Sequence, residues 1–570
     1  MRDTQTDLFY GTSGPRSAKI VIVGEAWGRD EAYLKRPFVG ASGKLLDQML
    51  SAAGLSRASV LCTNVVAQQP EGNDLARLCI PNKATKGLEP THGLYLDHDL
   101  AAGRERLLQL LNKLQPDLII VCGNWPLWAL CPSATKISTQ KGVKLPSGII
   151  KYRGSQLYSE TLERATPVLP IIHPAATLRD FSHYFTTVHD LRTRAPLAQL
   201  GLWDEPSSYQ FQPKPTYEQT MNYLNRLLAV PHHLVLDIET IAQKYISCIG
   251  FSCHKEEAIC IPFFYYEGGS LVAYWTPKEE EEIIFKIREV LEHPKIRVIG
   301  QNLLYDWQYL ERLWNIKPRI YWDTMIAQHL LYPGTPKSLD YLSSLYCNHH
   351  VYWKDETQEW KTSELDAERL WTYNCKDTRA TFEIAMEQMG IIKAKNLDEL
   401  MSDQIDQSLM ALEMMARGCN VDIKERNSQA AQLRIELSKL EHLLLEMMPE
   451  HLRGPKPWFE SPVQTMTFFY EWLGLPPQIH RKTLRPTADD TALNRLKLQV
   501  PWLNLLFETL ADYRSTKVFL SHFYEPPLSL GNRVRCSFNT AGTETFRWSS
   551  SATGFGEGTN MQNIPKGTED

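Results

Sequence analysis

Short apolar runs alternate with amphipathic stretches over the first 200 residues of the chain. Three runs are apolar enough to predict buried strands, at residues 19–24, 118–123 and 168–174. Residues 43–53 and 104–114 repeat their apolar positions at helical spacing. Because strands that alternate with helices form a parallel sheet, this pattern predicts an α/β domain over residues 17–200.

Polar residues follow the ends of these strands. They are Asn64, residues 24–28 (Gly-Glu-Ala-Trp-Gly) and residues 173–175 (His-Pro-Ala). Ligands of a parallel sheet gather at the carboxyl ends of its strands, and glycine there lets the backbone approach a ligand closely. A binding cleft at this edge is one interpretation, and plain strand-to-helix turns are the other.

Residues 234–240 (Leu-Val-Leu-Asp-Ile-Glu-Thr) predict another buried strand, and this one carries two acids. Side chains two positions apart on a strand point to the same face, so Asp237 and Glu239 project together. Two like charges this close are costly unless a cation lies between them. A metal site and a solvated strand end are both consistent with these two residues alone.

Two later elements add further candidates. A second apolar strand ends at Asn302, which is expected to cap a helix over residues 303–310 that carries Asp306 near its start. Another helical pattern carries Tyr373 and Asp377, which are four residues apart and so share one face. Carboxylate oxygens suit Mg²⁺ or Mn²⁺. Two such ions about 4 Å apart can activate a water and stabilise the leaving oxygen of a phosphodiester.

Composition limits the class of protein. The 570 residues correspond to roughly three or four domains, and contents of 43% hydrophobic and 22% charged residues are typical of soluble globular proteins. A net charge of −5 leaves any DNA contact to local basic patches. The eleven cysteines include no CxxC pair, which favours reduced thiols and a cytoplasmic protein. The sequence shows no signal-peptide or membrane-spanning pattern, so we expect no membrane partner.

The motifs of the first domain resemble those of the family 4/5 uracil-DNA glycosylases. The resemblance rests on residues 24–28, 36–46 (Arg-Pro-Phe-Val-Gly-Ala-Ser-Gly-Lys-Leu-Leu), 63–66 (Thr-Asn-Val-Val) and 173–175. It implies an α/β/α sandwich with a base pocket formed by Glu25, Phe38, Asn64 and His173. In that family the phenylalanine stacks on a flipped base, the asparagine reads the base edge, and the histidine lies by the departing base. An aromatic platform and a polar reader are what a flipped base needs.

The chain departs from family 4 at two points. Members of that family hold an iron–sulfur cluster with four cysteines that begin with a CxxC pair near the N-terminus, whereas the first cysteine here is Cys62. We therefore expect no iron–sulfur cluster. Trp27 replaces the usual proline and is expected to crowd the cleft. The head is then either an active glycosylase or a DNA-holding module that has lost its chemistry.

The ordered motifs Asp-x-Glu, Asn-x-x-x-Asp and Tyr-x-x-x-Asp resemble those of the DEDDy 3′–5′ exonucleases. The resemblance is greatest to the ribonuclease H-like proofreading domain of family A DNA polymerases, and residues 300–306, 322–325 and 338–342 support it. It implies that Asp237, Glu239 and Asp377 hold one divalent ion, and that Asp237 and Asp306 hold a second. Glu239 and Tyr373 would orient the attacking water. An active nuclease that releases nucleoside monophosphates from 3′ ends is implied.

From about residue 400 the pattern becomes helical, and it resembles the start of a family A polymerase domain, with a thumb and part of the palm. The supporting stretches are residues 417–422, 459–464, 473–476 and 512–517. Residues 543–551 and 560–565 resemble the stretch that holds the primer–template duplex, which implies DNA contacts by Thr543, Thr545, Arg547, Gln562 and Asn563. Phe546 replaces the usual glycine there, and a purely structural palm strand is the alternative. The basic residues 480–485 either track a phosphate backbone or form a solvated loop.

These patterns together predict a multidomain α/β protein. Its parts are a glycosylase-like domain at residues 1–200, a polar linker at 201–216, an exonuclease domain at 217–395 and the start of a polymerase domain at 396–570. The catalytic aspartates and fingers of family A polymerases lie downstream of such a stretch, so we expect no DNA synthesis by this chain. A longer polymerase, or a second chain with fingers and palm, would complete it.

The combination of domains suggests a bacteriophage replication protein in the host cytoplasm. It would act on single-stranded 3′ ends and on primer–template DNA. One alternative is a DNA-binding assembly subunit of a split polymerase, and another is an active uracil-DNA glycosylase fusion.

Overall fold

The computed structural model describes residues 7–140, 142–229, 232–357, 367–450, 456–481 and 483–564. Lys482 of the basic run and Pro565 of the last polymerase-like stretch lie outside these residues. The chain divides into two units, residues 1–405 without 242–244, and residues 406–570 with 242–244. The mixed α/β, multidomain architecture predicted from the sequence is confirmed.

The first sheet is mainly parallel, as the alternation of strands and helices predicts. The strands of this region are β1 (Ile20–Ala26), β2 (Val60–Val66), β3 (Leu118–Cys122), β4 (Lys136–Gln140), β5 (Val143–Ser147), β6 (Leu157–Tyr158) and β7 (Pro167–Ile171). The sheet has the order β2-β1-β3-β7-β6, with β6 antiparallel to β7 and the other pairs parallel. β4 and β5 form a separate hairpin.

Helices cover both faces of this sheet. They are α1 (Arg29–Leu34), α2 (Ala41–Ala52), α3 (His98–Leu114), α4 (Asn124–Leu130), α5 (Ile149–Tyr152), α6 (Pro174–Arg179) and α7 (His183–Gln199). Along β1, Val21 and Val23 pack with residues of α3 and α4, whereas Ile20 and Ile22 pack with residues of α2 and α7. Because side chains alternate along a strand, one apolar run supplies two cores, and an α/β/α sandwich results.

The second sheet is mixed and carries the acidic strand at its centre. Its region contains β8 (Gln210–Gln212), β9 (His232–Ile241), β10 (Tyr245–His254), β11 (Glu257–Pro262), β12 (Phe264–Glu267), β13 (Ser270–Ala273), β14 (Ile296–Gly300) and β15 (Ile320–Asp323). The strand order is β15-β14-β9-β10-β11-β8, and β12 and β13 form a separate two-stranded sheet. The helices are α8 (Tyr217–Ala229), α9 (Pro277–Leu291), α10 (Leu303–Trp314), α11 (Thr324–Leu331), α12 (Leu339–Tyr346) and α13 (Ala367–Ala394).

The stretch predicted as a linker, residues 201–216, is packed near both ends. Trp203 is buried in the core of the first sheet, and its Nε1 donates to the carbonyl of Leu157 at 2.8 Å. Strand β8 pairs in parallel with β11 of the second sheet. The segment therefore connects the two sheets without being a free tether, because a buried tryptophan and backbone pairing fix it.

The second unit is mostly helical. The boundary between the units falls within α14 (Asp398–Arg417), and the later helices are α15 (Ile423–Glu446), α16 (Pro462–Met466), α17 (Asp490–Gln499) and α18 (Asn504–Phe519). Four short strands form two antiparallel pairs, β16 (Cys419–Asn420) with β17 (Arg533–Val534) and β18 (Ser537–Asn539) with β19 (Ser549–Ser551). Among the residues described, no helix combines the length and apolar character needed to cross a lipid bilayer.

Helix α13 packs closely against strand β10 at Gly250. A Cβ atom at Gly250 would lie 2.1 Å from Asn374 Oδ1 and 2.8 Å from Thr378 Cγ2. No side chain fits between the helix and the sheet here, so glycine allows the approach. This approach brings Tyr373 and Asp377 of α13 to the neighbouring strand β9.

Replacing Gly250 by alanine is expected to lower the free energy of unfolding of the first unit by about 1–3 kcal/mol, because the added methyl overpacks the contact. Gly390→Ala lies in the same helix, where a Cβ meets open space, and should raise the free energy of unfolding by about 0.5–1 kcal/mol. Urea unfolding followed by circular dichroism measures both variants. An unchanged midpoint for Gly250→Ala would contradict the close approach.

Candidate functional sites

Strand β9 and helix α13 bring three of the predicted acids together. One carboxylate oxygen each from Asp237, Glu239 and Asp377 lies within 4.8 Å of the other two. Asp237 pairs with Gly250 of β10, and Glu239 pairs with Cys248. The two strand acids thus follow the spacing that predicts a common face, and the helix supplies the third from above them.

Asp306 lies beside this cluster and is held by the backbone. It is buried in the first turn of α10, and its Oδ1 accepts a hydrogen bond from the backbone N–H of Ile238 at 2.8 Å. Asn374 donates from Nδ2 to Asp237 Oδ2 at 2.8 Å. Asn374 was not among the predicted site residues, although its place between Tyr373 and Asp377 on α13 puts it against the sheet.

Burial and mutual repulsion govern the electrostatics of the acids. Burial is the largest cause of a pKa of Asp237 well above its ordinary value, and Asp306, Asp377 and Glu239 raise it further. Burial also raises the pKa of Asp306, against the hydrogen bond from Ile238. Positive charge placed among these oxygens therefore stabilises their ionised form.

A basic residue that the sequence patterns do not predict contacts the cluster. Lys354 Nζ donates to Asp377 Oδ2 at 2.5 Å and to the Tyr373 hydroxyl at 2.6 Å. Trp353 Nε1 donates to the other oxygen of Asp377 at 2.6 Å. Lys354 thus forms an ion pair with Asp377, and the all-oxygen donor set of Asp237, Glu239 and Asp377 fits Mg²⁺ or Mn²⁺. Burial and then the neighbouring carboxylates raise the pKa of Tyr373, so its phenol keeps its proton.

The start of α10 is fixed differently from the prediction. Asn302 occupies the N-cap position of α10, as predicted, but it is in the left-handed conformation (φ 59°, ψ 44°) and its side chain makes no capping hydrogen bond. Asp323 instead accepts from the backbone N–H groups of Asn302 at 3.1 Å and Leu303 at 2.8 Å. The same carboxylate caps α11 through the N–H of Met325. One buried acid at the end of β15 thereby fixes the helix that carries Asp306.

The carboxyl ends of the first sheet's strands open into a cavity of about 640 Å³. The four residues of the predicted base pocket all line it, namely Glu25, Phe38, Asn64 and His173. Trp27 also lines the cavity and is buried. The tryptophan is therefore part of the cavity wall. Although it was expected to crowd the cleft, the cavity is still large enough for a small-molecule ligand.

Close packing sets the positions of the aromatic and amide groups. A Cβ at Gly24 would lie 2.7 Å from Phe38 Cζ and 2.8 Å from Asn64 Nδ2, so glycine lets both approach the strand. The rings of Phe38 and His173 stack with centroids 6.3 Å apart. His173 Nδ1 accepts from the N–H of Ala175 at 3.1 Å, which leaves Nε2 as the donor of a neutral ring. Burial lowers the pKa of His173 to about 4.

Two polar groups of the cavity differ in how they are satisfied. Asn64 Oδ1 is buried and has no hydrogen-bond partner among the residues described. Burial raises the pKa of Glu25 to about 7, while the N–H groups of Trp125 and Asn124 lower it. An unpartnered buried acceptor beside an aromatic ring is suited to a ligand that brings its own donor.

Two residues that support the cavity were not predicted from the sequence. Arg106 donates to the carbonyl of Asn64 at 2.7 Å and to Thr63 Oγ1 at 3.3 Å. Glu31 accepts from the backbone N–H groups of Val39 at 3.2 Å and Gly40 at 3.0 Å, next to Phe38. Both act on backbone distant in sequence, and no local pattern marks them.

The residues with implied DNA contacts lie near the β18–β19 hairpin of the second unit. Thr543 Oγ1 accepts from the N–H of Arg547 at 3.0 Å, and Gln562 Nε2 donates to the carbonyl of Trp548 at 2.9 Å. Thr545, Arg547, Gln562 and Asn563 are exposed, and Thr543 is half-buried. Phe546 has a φ of 60°, a conformation in which an L side chain is strained and which explains glycine as the usual residue.

Comparisons with known proteins agree with this architecture. Residues 11–192 match the uracil-DNA glycosylase superfamily, and residues 211–389 match the 3′–5′ exonuclease family. The type-4 uracil-DNA glycosylase of Archaeoglobus fulgidus is 30% identical over 178 residues, which are 31% of this chain and 75% of that protein. DNA polymerase I of Borreliella burgdorferi is 26% identical over 295 residues, which are 50% of this chain and 30% of that protein.

A solved structure gives a more distant likeness. The POL domain of Pol1 from M. smegmatis, in complex with DNA primer-template and dNTP, aligns with a TM-score of 0.44 and 18% identity over 63% of this chain and 57% of that chain. The chain thus spans about a third of the length of the DNA polymerase I that it matches. The chain belongs to the uracil-DNA glycosylase superfamily through its N-terminal domain and carries a 3′–5′ exonuclease domain after it, in a sequence similar to DNA polymerase I.

Proposed function

We propose that the chain is a metal-dependent 3′–5′ DNA exonuclease that proofreads for a family A polymerase. Asp237, Glu239, Asp306 and Asp377 would hold two divalent ions, Mg²⁺ or Mn²⁺. The observation that carries the proposal is the convergence of three carboxylates within 4.8 Å, two from β9 and one from α13. When bound, such ions polarise an attacking water and the leaving oxygen of a phosphodiester.

The chain's own residues then orient the reaction. Asn374 and the backbone N–H of Ile238 fix the carboxylates of Asp237 and Asp306. Glu239 accepts the proton of the attacking water, and the protonated phenol of Tyr373 positions that water by hydrogen bonding. Attack at phosphorus breaks the bond to the 3′ oxygen of the preceding nucleotide. A nucleoside monophosphate leaves, and the shortened strand keeps a 3′ hydroxyl.

The second unit would hold primer–template DNA. Thr543, Thr545, Arg547, Gln562 and Asn563 lie close in sequence to one hairpin and are largely exposed, which suits contacts to a phosphate backbone and base edges. A second chain that carries fingers and palm would be its partner, in a bacteriophage replication system.

All eleven cysteines are free thiols, which supports a reducing cytoplasm.

Asp237→Ala should reduce digestion of a 3′-labelled single strand by more than about a hundredfold in the presence of Mg²⁺, because two proposed ion sites share this carboxylate. Release of labelled nucleoside monophosphate, resolved on a gel or by chromatography, is the measurement. Glu289→Ala removes a carboxylate that pairs with Lys286 in the same unit, and it should retain the parent activity.

The same assay separates the exonuclease from an assembly subunit that only holds DNA. Equal digestion by the parent and Asp237→Ala would place the active site elsewhere. Tight binding of single-stranded DNA without turnover in either Mg²⁺ or Mn²⁺ would support the assembly subunit instead.

The cavity of the first domain favours a second activity, removal of uracil from DNA. Phe38 offers an aromatic face, and the amide of Asn64 offers a buried acceptor without a partner among the described residues. Glu25 in its carboxylate form would orient water toward the sugar carbon as the base leaves, while neutral His173 donates from Nε2 to the departing base. A DNA-holding module without chemistry is the alternative.

Uracil excision should rise about tenfold between pH 6 and pH 8, because Glu25 with a pKa of about 7 is mostly protonated at pH 6 and mostly ionised at pH 8. Glu25→Gln should lose both the activity and this rise. Glu105→Gln, a change on the exposed side of α3, should keep the parent profile. Abasic sites formed in a uracil-containing single strand, cleaved with alkali, are the measurement.

Two outcomes would contradict this activity or its assignment. A parent enzyme that forms abasic sites with a flat profile from pH 6 to pH 8 would remove Glu25 from that role. Absence of abasic product at every pH would reduce the domain to a DNA-holding module.

A further inference from the structure

Lys354 makes a close contact with the proposed exonuclease site. Its Nζ donates to Asp377 Oδ2 at 2.5 Å and to the Tyr373 hydroxyl at 2.6 Å. The side chain is 24% exposed, and its positive charge also acts on Asp237 and Glu239. The ammonium of Lys354 therefore contacts the carboxylate of Asp377, which the proposed function assigns to a divalent ion. It competes with that ion for the carboxylate.

The segment before and after Lys354 is bound to the glycosylase-like domain. Gln156 donates from its backbone N–H to the carbonyl of His350 at 2.8 Å, and its Oε1 accepts from the N–H of His350 at 3.1 Å. Ser155 Oγ accepts from the N–H of Tyr352 at 3.1 Å. These contacts fix the backbone up to two residues before Lys354.

An ion pair completes the attachment on the other side of Lys354. Lys151 Nζ lies 2.7 Å from both carboxylate oxygens of Asp355. Lys151 belongs to α5, whose residues Ile149 and Ile150 line the cavity of the first domain. Lys354 is thus held between Ser155 on one side and Lys151 on the other.

The end of α12 is held by the same domain. Arg194 of α7 is buried, and its guanidinium donates to the carbonyls of Ser344, Cys347 and Asn348 at 2.7–2.9 Å. A rigid guanidinium fork with three acceptors fixes the chain that leads into residues 350–355. Contacts with the first domain therefore determine the path of the chain from Ser344 to Asp355.

We propose that the glycosylase-like domain holds Lys354 in the exonuclease site, where its ammonium takes the place of a divalent ion beside Asp377 and Tyr373. This inference rests on the proposed exonuclease function. The ammonium of Lys354 and a divalent ion bound to the same carboxylate of Asp377 would repel each other. The ion therefore binds at Asp377 only as the ammonium moves away on its flexible side chain. The first domain thereby sets the metal affinity of the second.

Lys354→Met should bind Mn²⁺ about three- to tenfold more tightly than the parent, because the competing positive charge is removed. Isothermal titration of the full chain with Mn²⁺ in the absence of DNA measures the affinity. Lys286→Met is the matched control, since Lys286 is 23% exposed in the same unit and pairs with Glu289 away from the cluster. Lys354→Gln is a second variant in case the methionine change disturbs folding, which circular dichroism checks.

Lys151→Met tests the part played by the first domain. It should tighten Mn²⁺ binding about two- to threefold, because the ion pair between Lys151 and Asp355 is lost, although the hydrogen bond from the Tyr352 hydroxyl remains, and the ammonium of Lys354 then moves away more readily. The double variant Lys151→Met/Lys354→Met should match Lys354→Met alone, since the Lys151–Asp355 ion pair acts on metal binding only through Lys354. Lys19→Met, which removes an exposed ion pair with Asp117 in the same domain, should match the parent.

The outcomes distinguish this inference from the proposed function. Asp237→Ala should abolish Mn²⁺ binding, and an absence of binding in the parent and in Lys354→Met alike would overturn the proposed function. Binding that Asp237→Ala abolishes but Lys354→Met leaves unchanged or weakens would overturn the competition alone. A Lys151→Met affinity equal to the parent, or a shift that adds to that of Lys354→Met, would overturn the role of the first domain.

Discussion

The structure depends on holding several carboxylates close together, of which Asp306 and Asp377 are buried and Asp237 and Glu239 are half-buried. Burial is the main cause of the raised pKa of Asp237 and Asp306, and neighbouring acids raise it further. The chain offsets this with donors aimed at individual oxygens, among them the N–H of Ile238, the amide of Asn374 and the ammonium of Lys354. Each donor lowers the cost of an ionised acid. The packing of α13 on β10, with glycine at the contact, brings these groups within reach of one another.

Much of this site could be predicted because its residues follow local periodicities. Asp237 and Glu239 alternate along one strand, and Tyr373 and Asp377 lie one helical turn apart, so spacing alone indicated their common faces. Lys354 could not be predicted in the same way. Its position is set by hydrogen bonds from residues about 200 positions earlier, and no local pattern carries that information. Spacing in the sequence therefore identified the acidic residues of the site but not the lysine that contacts them.

The same distinction applies to the rest of the fold. Alternating apolar and amphipathic runs predicted the parallel sheet of the first domain, since each strand serves two cores. The start of α10 was assigned to Asn302 because asparagine is a common cap, and Asn302 does stand at that position, but its side chain makes no capping hydrogen bond and Asp323 accepts from the N–H groups instead. Residues 201–216 were predicted to be a linker from their polar and proline content, which does not reveal that the ring of Trp203 is buried. Tertiary contacts decided both cases.

Arg194 has a consequence for how this protein is inherited. Its three carbonyl partners belong to the exonuclease domain, and a domain of the same fold with another residue there would remove the donor from all three, two of which belong to the buried residues Ser344 and Cys347. Exchange of the first domain by recombination would therefore lower stability at this contact unless the incoming domain carried an equivalent arginine. The two domains match separate protein families, yet this contact favours their inheritance together.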